Sequence, residues 1–147
     1  MKLPLVPLLF SLLVFTACES TEDILESIDH EVPDIEFLSD SIEVNTGETF
    51  TVEALVEDES GIERMVFSYG NWRINEIVDL AEEPSIEPYT FTTEVTVPED
   101  AMKEWEEEKY FNDASSIVVT QQYHALELTA WDTNRNERKA YMYVKVK

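Results

Sequence analysis

A chain of 147 residues with 32 acidic and 10 basic side chains carries a net charge of −22, which disfavours nucleic-acid phosphates and anionic lipid headgroups as partners. One cysteine excludes an internal disulfide, and with two histidines it is too little for a zinc site of the usual kind. The length suits a single domain with a real core.

The chain opens Met1-Lys2 and runs apolar from Leu3 to Ala17, with the small residues Thr16 and Ala17 just before Cys18. A charged start, an apolar stretch and a small-residue cleavage site make the layout of a secretory signal. The run of about 15 residues falls short of the roughly 20 that span a bilayer, and Pro4 and Pro7 suit a long helix badly. Val14-Phe15-Thr16-Ala17-Cys18 resembles the lipobox of bacterial lipoproteins, in which the cysteine becomes the lipid-bearing first residue. Phe15 departs from the usual Leu but keeps its apolar character. The resemblance implies a signal over residues 1–17, lipid on Cys18 and stable anchoring, because several acyl chains hold where one binds only reversibly. The alternative reading is an ordinary secretory signal with a chance cysteine.

Residues 18–31 read as the lipidated N-terminus and a flexible tether. Cleavage removes Lys2 and no acid, so the mature chain is more negative still. Ile24, Leu25 and Ile28 share a helical turn, but the run is too short for a stable isolated helix. A flexible segment of about thirteen residues has an r.m.s. span of roughly 20 Å. Cys18-Glu19-Ser20-Thr21-Glu22-Asp23 is similar to the acidic signals that send Bacteroidota-type lipoproteins to the cell surface. That likeness implies an outer-membrane protein facing outward.

Residues 32–147 form the domain, and its dominant period is two, which means strands. Asp34 to Leu38 and Ser41 to Val44 suit a first strand with a kink, followed by a turn at Asn45-Thr46-Gly47-Glu48. Phe50, Val52, Ala54 and Val56 share one face. Asp58-Glu59-Ser60-Gly61 turns the chain, and Ile62, Met65, Phe67 and Tyr69 mark the next strand. Trp72 to Ile77 is a weaker strand. Tyr89, Phe91, Thr93, Val95 and Val97 alternate up to Pro98. An acidic insertion follows between Val97 and Ser115. Pro98-Glu99-Asp100 and the i, i+3 spacing of Met102 and Trp105 predict a short helix there. His124, Leu126, Leu128 and Ala130 then share a face, as do Met142, Val144 and Val146. About seven strands at regular spacing predict an all-β, two-sheet sandwich.

Asp58-Glu59-Ser60-Gly61-Ile62, and His124 to Asp132 followed by Asn134-Arg135-Asn136, resemble the turn and the penultimate strand of bacterial immunoglobulin-like repeats. The resemblance implies an immunoglobulin-like sandwich and names no activity. Two residues depart from the pattern. His124 stands for the usual corner Tyr. Arg135 stands where Gly is expected, so Asn134 or Asn136 is expected to take any left-handed position.

Three candidate sites follow. Trp131, Tyr141 and Tyr143 alternate with core positions and are expected on the outer face of neighbouring strands, and Trp105 of the insertion is a fourth candidate ligand-binding residue. There they offer an aromatic platform for sugar rings or a protein. The competing reading folds the insertion over them, with Trp105 and Phe111 filling the gap. Asp132, Asn134 and Asn136 offer oxygens at alternate positions, as calcium requires, although turn chemistry explains the same residues. No serine carries a nucleophile signature, and His124 reads as a structural residue, so no enzyme is expected. The expected role is a non-catalytic module for a glycan or another envelope protein. The alternative is a structural subunit of a surface assembly, and a small hydrolase is the third reading.

Overall fold

The computed structural model describes residues 31–112 and 115–147. The signal segment, Cys18 and the tether up to residue 30 lie outside the described residues. Ten strands form in chain order: β1 (Asp34–Phe37), β2 (Ser41–Val44), β3 (Thr49–Glu57), β4 (Ile62–Tyr69), β5 (Ile74–Asp79), β6 (Tyr89–Thr96), β7 (Trp105–Asn112), β8 (Ser115–Gln121), β9 (His124–Asp132) and β10 (Glu137–Val146). Among the described residues the only helical element is a 3-10 turn at Gly70–Trp72.

The strands make three sheets, ordered β1-β3-β6, β2-β10-β9-β4-β5 and β7-β8. The two larger sheets face each other as a sandwich. Phe67 of β4 meets Phe91 of β6 across the gap, with ring centroids 5.5 Å apart. The inward residues are those the period of two selects. Val52, Ala54 and Val56 from β3, Met65 and Phe67 from β4, and Leu126, Leu128 and Ala130 from β9 are all fully buried in one cluster. Burying each large apolar side chain contributes roughly 1.5–3 kcal/mol.

Three expectations are corrected. The kinked first strand is two strands in different sheets. β1 pairs antiparallel with β3, and β2 pairs parallel with β10, so the break at Leu38-Ser39-Asp40 carries the chain across the sandwich. The short helical insertion is instead a β-hairpin, in which β7 pairs antiparallel with β8 from Trp105↔Gln121 to Asn112↔Ser115. Only a turn survives at Pro98, where the Ala101 N–H donates to its carbonyl at 3.1 Å. Trp105, Tyr110 and Phe111 are strand-favouring aromatics, and Ile117-Val118-Val119 supplies a β-branched partner. Finally, Arg135 itself takes the left-handed position, at φ 69°. The Arg135 N–H donates to the Asp132 carbonyl at 3.1 Å, so Thr133 and Asn134 fill the two central turn positions and Arg135 comes next. A left-handed residue at that place is what a three-residue hairpin loop needs, whatever its side chain.

The two turns that carry the immunoglobulin-like resemblance meet at one end of the sandwich. The Thr133 N–H donates to the Gly61 carbonyl at 3.1 Å, and the Thr133 hydroxyl donates to the Ser60 carbonyl at 3.0 Å. Gly61 sits at φ 97°, a backbone position few residues other than glycine adopt. No described helix is long and apolar enough to cross a membrane.

Candidate functional site

At the opposite end of β9, His124 is buried and begins the strand. Its Nε2 donates to the Met102 carbonyl at 2.8 Å, and its Nδ1 lies 2.7 Å from the Tyr69 hydroxyl. A nitrogen facing a carbonyl must carry the proton, so Nδ1 accepts and Tyr69 donates. The Tyr69 oxygen in turn accepts from Asn71 Nδ2 at 3.0 Å. This chain satisfies every member with His124 neutral. Burial holds the His124 pKa below its ordinary value, against the opposing pull of the Met102 bond. Burial also raises the Tyr69 hydroxyl, partly offset by Asn71.

Aromatic rings surround the imidazole. Trp72 and Trp105 each lie 4.7 Å from it by centroid, and Tyr69 meets it edge-on at 5.6 Å. Trp105 belongs to the hairpin, and the Met102 carbonyl lies just before it. His124 therefore ties the base of the hairpin to the end of the sandwich. The corner hydroxyl expected of a Tyr is replaced by an imidazole bond to backbone.

The docked hairpin leaves an open groove of about 700 Å³ beside it. Trp105, Glu107, Lys109 and Gln121 make the wall on the hairpin side. Tyr143, Ala125 and Ser41 from the larger sheet face it, and Tyr69, Asn71 and Tyr123 complete it. The strand registers explain this. Trp105 pairs with Gln121, Glu107 with Val119 and Lys109 with Ile117, so these residues share the groove-side face. Tyr143 pairs with Ala125 on one side and Ser41 on the other. Charges within the groove are matched. Lys109 Nζ lies 3.8 Å from Glu107, and Gln121 donates to Glu107 at 2.9 Å.

The expected platform divides. Tyr141 and Tyr143 are 43% and 45% exposed on the outer face of β10. Tyr143 lines the groove. Tyr141 donates its hydroxyl to Glu127 at 2.9 Å, and Glu127 also accepts from Lys139 and Thr129. Burial pushes the Glu127 pKa up, but these three donors outweigh it and hold the carboxyl below its ordinary value. Trp131 pairs with Glu137 and so lies four residues along the strand from the Tyr141 row, roughly 13 Å away. Its ring is covered by the Arg64 guanidinium at 5.7 Å, and its N–H donates to Glu137 at 3.1 Å. Trp105 packs on His124 and does not reach Trp131. The side chain of Phe111 lies outside the described residues.

The oxygens considered for calcium serve the turn. Asp132 is fully buried, and its two carboxylate oxygens accept from the backbone N–H and the side-chain amide of Asn136, each at 2.7 Å. Asn134 is exposed at the loop tip. Among the described residues no three His, Cys, Asp or Glu side chains cluster as metal ligands do.

Sequence reasoning missed Tyr69, Trp72, Asn71 and Tyr123 as site residues. Tyr69 and Trp72 flank a strand end, and only the docked hairpin brings Trp105 to them. No protein-family model matches the sequence, and no curated protein matches it significantly.

Proposed function

We propose that this protein is a lipid-anchored, non-catalytic binding module of the bacterial outer surface, and that its groove takes an uncharged glycan. The observation that carries the ligand class is the lining. Aromatic rings of Trp105, Tyr69, Tyr123 and Tyr143 border it together with the amides Asn71 and Gln121. Ring faces stack on the apolar faces of sugars, and amides exchange hydrogen bonds with hydroxyls. The charged pair Glu107 and Lys109 balances itself, so nothing there selects an ionic ligand. Non-catalysis is supported by His124, the one described histidine near the groove, whose two nitrogens are both engaged.

The scaffold reading is an immunoglobulin-like sandwich. It is supported by the sheet orders β1-β3-β6 and β2-β10-β9-β4-β5, which follow an A-B-E and A′-G-F-C-C′ arrangement if β9 and β10 are F and G. The anchor reading rests on the segment ending at Cys18. A second reading, a subunit of a surface assembly, is favoured by the protruding hairpin.

The test is affinity electrophoresis of the detergent-solubilised chain through gels holding neutral plant, host and microbial polysaccharides. Retardation by at least one is expected, weakened roughly three- to tenfold in Tyr143→Ala and unchanged in Trp131→Ala. Retardation that Tyr143→Ala leaves intact removes the groove as the site. No retardation on any gel moves the function to a protein partner.

A further inference from the structure

Among the described residues the three sheets have six edge strands, β1, β6, β2, β5, β7 and β8. Five of them carry acids: Asp34 and Glu36 on β1, Glu94 on β6, Glu43 on β2, Glu76 and Asp79 on β5, and Glu106 to Glu108 on β7. The sixth, β8, reads Ser-Ser-Ile-Val-Val-Thr-Gln and carries no charge. Edge charge is a common device that keeps sheets from pairing with other chains. Its absence from one edge of a molecule at −22 is therefore informative. The middle of β8 is three β-branched residues, and Ile117 and Val118 are 49% and 63% exposed. β8 has β7 as its one sheet neighbour among the described residues. An antiparallel edge strand turns the N–H and C=O of every second residue outward. A two-stranded sheet is also marginal alone, and further strands stabilise it.

We propose that β8 joins two copies of this chain, antiparallel about Val118, so that the two hairpins merge into one four-stranded sheet. The contact is isologous. Val118 faces its own equivalent, and Ile117 faces the equivalent of Val119. Charge fit selects a second copy as the occupant. Self-pairing at any other edge brings at least one acid of each copy into the seam, and like charges placed opposite each other destabilise cross-strand pairs. At β8 the facing residues are neutral, and the β7 glutamates stay a strand width, about 5 Å, behind the seam. A basic foreign strand would be matched better by the acidic edges. An uncharged β-branched strand is what β8 fits, and the chain itself supplies one. Edge pairing uses backbone groups in the sheet plane and leaves the groove-side face of the hairpin in place, so this contact is independent of the glycan reading.

The experiment is sedimentation equilibrium of the full chain in detergent over a range of concentrations, with Val118→Glu alongside. Val118 is exposed, so the variant is expected to keep its far-ultraviolet circular dichroism. The wild type is expected to form dimers, and Val118→Glu to weaken them by at least about tenfold. In a second measurement, oxidised Val118→Cys is expected to run as a disulfide-linked dimer while Glu36→Cys, at another edge, does not. A wild type that stays monomeric overturns the proposal. So does a dimer that Val118→Glu leaves unchanged, or crosslinking that is equal at both cysteines.

Discussion

His124 is the residue on which the site turns. It faces the Tyr69 hydroxyl, itself held by Asn71, on one side, the Met102 carbonyl on another, and two indoles across its ring faces. A proton added to Nδ1 would meet the Tyr69 hydroxyl hydrogen and undo the chain of donors. The consequence has a sign. An unfolded histidine titrates near pH 6.5, and the folded one titrates lower. As pH falls through that window the unfolded state takes up a proton that the folded state refuses, so stability falls with it. His124→Gln is expected to be less stable than wild type at about pH 7.5, with the gap narrowing by about pH 5. Urea unfolding of both proteins at the two pH values checks this, and a constant gap would exclude the neutral imidazole as the cause. The strand position marked His124 as structural, yet its partners were hidden because they come from two separate segments, residues 69–72 and 102–105.

At the scale of elements, the strands whose alternation was plain are those with one face buried. β3, β6 and β10 each put apolar residues in the core and polar residues in water, and that contrast produces the period of two, while β9 alternates between fully and partly buried positions. The hairpin has no such contrast. Glu106 to Glu108 and Ile117-Val118 are exposed on both of its faces, so β8 shows no alternation, and the approach to β7 imitates a helix through the spacing of Met102 and Trp105. Its stability is correspondingly local. Among the described residues, apart from its base at Trp105, it shows none of the fully buried apolar side chains that protect core strands. Amide hydrogens of β7 and β8 are expected to exchange well before those of β3 and β9, and to exchange faster still in Trp105→Ala. Hydrogen-exchange mass spectrometry of the two proteins makes the comparison. Equal protection of β7–β8 and β3 would show that something else holds the arm.

For the whole molecule, the sequence carries a proposal about location and none about the ligand. The segment ending at Cys18 resembles a contiguous lipoprotein signal, whereas the groove exists only after residues from five parts of the chain converge. If Cys18 carries the anchor, wild type is expected in the outer-membrane fraction and labelled by palmitate. Cys18→Ala is expected to be unlabelled and released from that fraction. Recovery of the variant in the membrane at wild-type level would sink the anchor reading.

The parallel pairing of β2 with β10 also sets an order of events. Residues 41–44 bond to residues 143–146, so the edge of the larger sheet closes only when the last strand has arrived. β10 lies between β2 and β9, and it supplies the buried Met142, Val144 and Val146. Such non-local closure is slow, because a long loop must be fixed before the contacts reward it. A polypeptide delivered from its N-terminus therefore cannot complete this domain midway. If the chain is exported as proposed, it stays competent for threading until β10 has emerged.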